Sequence, residues 1–300
     1  MPKILRASPG HAPGLLAVCL LVSTAAPAQA PASPQSQPAP AAQPAAPSQP
    51  VSPPNANDAL LASIARLYYS TTQAGLDGFD CAVHPEWREV LSASTKGAAV
   101  AATDPRVVLL NAVKITLHAR FKTDSSVDWV QPANPAKPLD QLSLALLERM
   151  HPATEQTLQG FLQFWTPFVD GSTVPASSEG LQIVKTALGY TLRAQQNESS
   201  VTEQFDNRLL LVRFDVEKNG AALDFAPAYA STDRGLLVSG FIAHIQPQGA
   251  TPEQSQQMNA NIQYQTVDGF PVPSKLSIEV VGTGVLGFTF DGCSAIRSSN

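Results

Sequence analysis

Apolar and polar positions exchange with a period of two through most of the second half of the chain, in runs broken by turn signals. The runs 181–188, 190–195, 201–206, 209–218, 222–229, 236–245, 261–267, 275–281 and 285–290 are candidate strands. Between them stand Gln196-Asn197-Glu198, Lys218-Asn219-Gly220, Asp233-Arg234-Gly235, Asp268-Gly269 and Gly282-Thr283-Gly284. Asn, Asp and Gly enter the positive-φ region that tight hairpin turns demand, so the pattern predicts an antiparallel meander with one long excursion at 247–257.

The same period appears earlier, most cleanly over 111–122. Val113, Ile115, Leu117, Ala119 and Phe121 alternate with Lys114, Thr116, His118, Arg120 and Lys122, giving one dry face and one cationic face. Shorter strands are expected at 75–83, carrying Cys81, and at 127–130. Helical spacing takes over elsewhere. Leu60, Ile64, Leu67 and Tyr68 follow Asn57 as N-cap and Asp58 in the first turn, with Gly75 as the stop. One or two turns over 85–91 would face Trp87, Val90 and Leu91 inward. Leu139, Leu142, Leu146 and Met150 mark a further helix, and Leu158, Phe161, Leu162 and Trp165 mark another that starts after Pro152 and ends at Pro167.

Eight or more twisted antiparallel strands curl, and a curled sheet needs material in its concave face. The expected fold is α+β: a large antiparallel, curled half-open β-barrel, with an N-terminal helix and inserted helices acting as a lid. Val113, Ile115, Leu117 and Phe121 would form a hydrophobic wall, and Leu158, Phe161, Leu162, Trp165 and Phe168 the lid. These are the candidate ligand-binding residues. The same aromatic spacing also suits an interior packed solid, with no room for a ligand.

Composition changes the picture at the N-terminus. Residues 1–14 carry Lys3 and Arg6 and no acid, and 15–22 is an apolar run too short to span a bilayer, so 1–28 reads as a secretory signal peptide. Cleavage after Ala28 is favoured over Ala30, which would leave Pro31 first. Cys19 after Leu16-Ala17-Val18 approaches a lipoprotein box, but Val18 is too large for one, which disfavours a lipid anchor. Residues 29–56 are almost all Ala, Pro, Gln and Ser and read as a disordered tether, leaving 57–300 as a single domain. Loss of Lys3 and Arg6 takes the formal charge from −5 to −7, which argues against nucleic acid as a partner. The two cysteines that remain, Cys81 and Cys293, read in an exported protein as a structural disulfide worth about 4–5 kcal/mol in the chain-entropy model; two buried free thiols are the alternative. The expected location is the periplasm or outside the cell, with no transmembrane span in the mature chain.

Catalytic motifs do not emerge. The chain has no Gly-x-Ser-x-Gly elbow, His-Glu-x-x-His pair, Ser-x-x-Lys pair, P-loop or dinucleotide fingerprint. His84 beside Glu86 and near Cys81 could assist a free thiol, and His118 with His244 could meet across a sheet as metal ligands. Asp206, Asp215 and Glu217, like Asp268 and Glu279, are carboxylates near hairpins and suit the solvent face of a sheet. The cationic face of 114–122 could attract a lipid headgroup or another anion, although such a face is more often simply solvated. No enzyme, cofactor or metal is expected.

The hairpin Tyr264-Gln-Thr-Val-Asp-Gly-Phe-Pro-Val-Pro-Ser-Lys-Leu276, with Asp268-Gly269 before Pro271-Val272-Pro273 and the outgoing Lys275-Leu276-Ser277-Ile278, resembles a turn near the end of the periplasmic outer-membrane lipoprotein-sorting (LolA-like) carriers. The order of helix, strands, inserted helices and meander over 58–293 is similar too. The longer tether, the disulfide and the cationic strand face depart from that family, and no motif fixes its lid-locking arginine, so no functional residue is carried over. The resemblance implies a non-catalytic envelope protein that holds a lipid or lipoprotein acyl chain in a lidded sheet, as carrier or sensor. A protein-interaction module of the same fold, with a filled core and an envelope protein as partner, is the alternative.

Overall fold

A computed structural model of the chain describes residues 55–94, 98–132, 139–170, 174–196, 199–251 and 254–298. The expected signal peptide and nearly all of the tether lie outside the described residues, and the first helix begins inside the tether's expected end.

The first strand of the chain is not at an edge. β1 (Leu76–Pro85) pairs antiparallel with β2 (Lys114–Arg120) on one side and with β12 (Gly284–Arg297) on the other. β3 (Ser126–Val130) adds to β2 and forms one edge. The chain then crosses to the opposite edge and returns strand by strand. This meander runs through β4 (Leu181–Thr186), β5 (Gly189–Gln196), β6 (Ser199–Asp206), β7 (Leu211–Lys218), β8 (Ala221–Thr232), β9 (Gly235–Gln246), β10 (Gln256–Val267) and β11 (Phe270–Val280) to β12. The result is one 12-stranded antiparallel sheet, curled and open, with β3 and β4 as its two edge strands. All nine strands expected after residue 180 are present. At two of the turns Asn219 and Gly220 have φ of 51° and 78°, and Asp268 and Gly269 have 51° and 86°, the conformation their residue types favour.

Crossing from β3 to β4 is done by α5 (Gln141–Val169), a single helix of 29 residues capped by Asp140, whose carboxylate accepts from the Ser143 N–H at 2.7 Å. The two helices expected around Pro152 are therefore one. Pro152 and Pro167 both lie inside it. A proline removes one intrahelical hydrogen bond, and here packing of Leu146, Leu147, Leu158, Phe161, Leu162 and Trp165 into the sheet offsets that loss, at roughly 1.5–3 kcal/mol for each fully buried side chain.

The remaining helices are short. α1 (Ala56–Ala65) is capped by Asn55, two residues before the expected cap, and α2 (Thr71–Ala74) follows a turn that lies beside the start of β9. There the backbone of Leu67 and Tyr69 exchanges hydrogen bonds of 2.8 Å with Leu236. Gly235, at φ 124°, leaves room for that approach: a Cβ there would meet Tyr68 and Tyr69 backbone at 2.9 Å. α3 (Trp87–Ser94) matches the expected turns at 85–91. α4 (Pro105–Asn111), with Asp104 as N-cap and Pro105 in its first turn, falls where no element was expected.

Two apolar clusters result. The larger joins α5 to β1, β2 and β8–β12; the smaller joins Leu61, Ile64 and Tyr68 to Val174, Leu192, Phe205 and Leu211 beneath α1.

Candidate functional site

Wall and lid meet in one place. Val113, Ile115 and Leu117 are buried, as are Leu158, Phe161, Leu162 and Trp165 on α5, and Phe121 and Phe168 pack against the same cluster. Strand register explains the wall: Ile115 lies opposite Val83, Leu117 opposite Cys81, and Ala119 opposite Phe79, so the inward residues of β1 and β2 form one apolar surface. Trp165 is edge-on to Phe79 at 6.1 Å and tilted against Phe121 at the same centroid distance, and it stacks with Phe161 at 5.8 Å. Further along α5, Phe164 touches Phe225 and Phe241 at 4.6 and 4.3 Å, and Phe168 reaches Phe214 and Phe225. The helix thus lies along the concave face through aromatic contacts from its middle to its end.

One polar chain crosses this surface. The Trp165 indole N–H donates to the Tyr264 hydroxyl at 2.9 Å, and that hydroxyl donates to the Val238 carbonyl. Burial pushes the Tyr264 phenol well above its ordinary range, which keeps it a donor. α5 is thereby latched to β9 and β10 by groups that would otherwise be unsatisfied in an apolar setting.

Cys81 and Cys293 are bonded, joining β1 to β12 over 212 residues of sequence. A bulge between Asp80 and Ala82, with Gly292 at φ 53° on the partner strand, brings the two sulfurs together. Cys81 is consumed by the bridge, so the thiol nucleophile considered with His84 does not exist. His84 faces Asp291 at 3.2 Å instead of Glu86.

The other chemical candidates fall apart. β1, β12, β11 and β10 lie between His118 on β2 and His244 on β9, so the two imidazoles cannot share a metal. Among the described residues no group of three or more His, Cys, Asp or Glu side chains is placed to hold one. The cationic face of β2 is also not free. His118 contacts Asp80 at 2.9 Å and Asp128 at 3.3 Å, Arg120 pairs with Asp80 at 2.8 Å, and Lys122 with Asp77 at 2.6 Å. Acids from neighbouring strands pair with these three, and Lys114 at the start of the strand is exposed. Asp206 caps its own turn by accepting from the Arg208 and Leu210 N–H groups, and Asp215 pairs with Arg213 on the convex face.

Two open grooves lie apart from this set. One of about 600 Å³ separates α4 from the start of α5, lined in part by Leu109, Leu142, Leu146, Arg106 and Arg149; the other, of about 220 Å³, lies over β7–β9 and includes Arg213, Asp224 and His244. Neither is lined by any of the nine wall and lid residues.

Register also places a carboxylate where only apolar groups were expected. Ile183, Leu192, Glu203, Phe214, Phe225, Ala243 and Met258 are aligned across β4 to β10 on the concave face. Among the described residues Glu203 lies between Leu192 and Phe214 with no basic side chain paired to it; it is half-buried, and that burial pushes its carboxyl up to about 8. On the same arm of the sheet the Tyr68 and Tyr229 rings meet edge-to-face at 5.3 Å, and burial chiefly holds both hydroxyls against ionising. Tyr68 is well served: its oxygen accepts from the buried Leu211 N–H at 2.7 Å, and its proton points to the Leu209 carbonyl at 3.4 Å. The Tyr229 hydroxyl is buried, and its polar neighbour is the Tyr68 hydroxyl. Glu203 was open to detection in the sequence, because Val201-x-Glu203-x-Phe205 puts an acid in phase with the apolar face.

Set against protein-family models, curated proteins and solved structures, the chain matches none of them.

Proposed function

We propose that this is a non-catalytic, exported cell-envelope protein that holds a hydrophobic ligand, a lipid or acyl chain, against the concave face of its sheet, as carrier or sensor. The observation that carries this reading is that the concave face of an open sheet is covered by one crossing helix, whose aromatic stripe occupies the volume an acyl chain would take. The latch through Trp165, Tyr264 and Val238 is a compact set of bonds whose release would free that stripe. The disulfide supports an oxidising compartment, and the signal-peptide reading of 1–28 supports export.

Full burial of Leu158 and near-full burial of Trp165, at 0% and 1% exposure, favours a second reading in which α5 never leaves and the protein serves as an interaction module with a filled core. Native mass spectrometry of the protein purified from its exported form separates the two. The carrier reading expects a discrete added mass that denaturation releases as lipid. It also expects lower occupancy in Phe161→Ala, and faster uptake in Tyr264→Phe, which loosens the latch while keeping the ring. A bare polypeptide after incubation with membrane extract, in wild type and Tyr264→Phe alike, would select the filled-core module.

A further inference from the structure

The larger of the two grooves lies outside the wall and lid. Leu142, Leu146 and Arg149 stand at i, i+4 and i+7 of α5 and share one face, along which Leu142 and Arg149 are about 10 Å apart. Leu109 of α4 lines the same groove, whose volume of about 600 Å³ falls within the roughly 300–1,000 Å³ of small-molecule sites. Its apolar lining is open to water: Leu142 is 84% exposed, so a ligand that covers it gains free energy. The charges in the groove are not equivalent. Arg106 is engaged by Asp104 through bonds of 3.0 and 2.8 Å, and the Asp140 carboxylate is turned to its own helix, where it accepts from the Ser143 N–H. Arg149 forms no ion pair among the described residues. The groove thus combines an apolar floor with one uncommitted cation, about 13 Å along α5 from Asp140.

We propose that this groove binds a fatty acid anion, its carboxylate on Arg149 and its alkyl chain along Leu146, Leu109 and Leu142. The chemistry selects each part. A guanidinium presents two parallel N–H groups that match a carboxylate, whereas an ammonium head would meet a like charge there. An uncharged alcohol of the same length gains the apolar contacts without the charge-assisted bonds. Arg149 and Leu142 are exposed, so the site can be filled with α5 in place and the latch closed. This inference is therefore independent of the carrier reading and holds equally for a protein whose core stays filled.

Calorimetric titration of the exported protein with dodecanoate, 1-dodecanol and dodecylamine near neutral pH, each below its aggregation limit, tests it. The expected result is that dodecanoate binds at least about tenfold more tightly than dodecanol, and dodecylamine no more tightly than dodecanol. Substitutions at exposed Arg149 and Leu142 leave the core untouched. Arg149→Gln should erase the advantage of dodecanoate and leave dodecanol unchanged, Arg149→Lys should keep part of it, and Leu142→Ser should weaken both probes by a similar factor. The proposal is overturned if dodecanoate does not bind, if dodecanol binds as tightly, or if Arg149→Gln binds dodecanoate as wild type does. Loss of dodecanoate binding in Phe161→Ala but not in Arg149→Gln would place the ligand beneath α5 and overturn it too. The carrier reading is decided separately, by the lipid that native mass spectrometry finds on the exported protein.

Discussion

The two arms of this sheet are built from the same alternation and end with different interiors. In the arm made of β1, β2, β3, β12 and β11, inward positions are apolar without exception along β2, His118, Arg120 and Lys122 are outside and paired with acids, and a disulfide ties the first strand to the last. In the other arm, β4 to β7, inward positions are mostly half-buried, the cover is the ten-residue α1, and one inward position is an acid. The comparison teaches that alternation fixes which residues face inward, whereas the length of the covering helix decides how dry that face becomes. A stapled arm under a long helix is dry, and an arm under a short helix is half-buried enough to carry an acid on its inner face.

The largest expected effect sharpens the stapled side. Replacing Cys81 and Cys293 together by Ser frees a loop of 212 residues, and the chain-entropy model puts the loss at about 5 kcal/mol as an upper value. Urea melts of the double variant should show a lower midpoint with the denaturant slope little changed. A loss below about 1 kcal/mol would mean that β1 and β12 hold their register without the bridge, and the contrast between the arms would weaken.

The same truncation in each arm tests packing directly. Leu158 on α5 and Leu192 on β5 are both buried, so Leu→Ala removes equal chemistry from each. Leu158→Ala is expected to cost about 3–5 kcal/mol, because rigid aromatic neighbours cannot collapse into the hole, and Leu192→Ala about 2–3 kcal/mol, because a thinly covered strand can relax. Equal losses in thermal melts would show that the two interiors are equally tight.

Legibility in the sequence follows the same division. The meander was readable because every strand repeats a period of two between turn residues with a reason to turn, and Cys81 with Cys293 was readable from number and compartment. The continuity of α5 was not. Pro152 reads as a break in any local pattern, and only tertiary packing, which a local pattern does not contain, overrides it. α4 was missed for brevity, although Asp104-Pro105 is a sound helix start. At the wall, Val113, Ile115, Leu117 and Phe121 were found by face. The partners of Lys122, His118 and Arg120 were not, because the acids that neutralise them sit on other strands. Glu203 was visible as a breach of pattern, but its isolation from any cation depends on register across seven strands.

That carboxyl yields the next prediction. Its ordinary value is 4.5 and burial raises it to about 8 in the folded protein, so between these limits the folded state binds more protons than the unfolded state, and stability falls as pH rises from about 4.5 to 8. Glu203→Leu should be more stable than wild type at pH 8 by about 1–4 kcal/mol, with the difference vanishing toward pH 4.5. If instead the leucine variant is less stable at pH 8, the carboxylate has a partner that offsets its burial, and the arms are less different than they look.

The smallest effect belongs to the paired convex face of the stapled arm. Burial opposes ionisation of Asp80, but hydrogen bonds from Arg120 and His118 outweigh it and hold the carboxyl below 3.8; the bond to Asp80, with Asp128 adding to it, raises His118 above 6.5 against burial. The carboxylate's contribution is therefore present above about pH 4 and lost as pH falls further, while the imidazolium's is present below about pH 6.5 and lost as pH climbs through the folded value. These groups are roughly a third exposed, so solvent screening holds the whole network to about 1 kcal/mol or less. Asp80→Asn should cost most near pH 5.5 and less above pH 7, where only the Arg120 pairing remains to be lost. Between pH 6.5 and 8 both arms thus lose stability, one by discharging a partnered imidazolium, the other by keeping a buried acid protonated while the unfolded chain has ionised. Chemical denaturation of Asp80→Asn and Glu203→Leu across that interval, singly and combined, should find the two effects additive, since they lie on opposite faces and in opposite arms. Non-additivity above about 0.5 kcal/mol would mean that the arms communicate through the sheet and cannot be treated as separate.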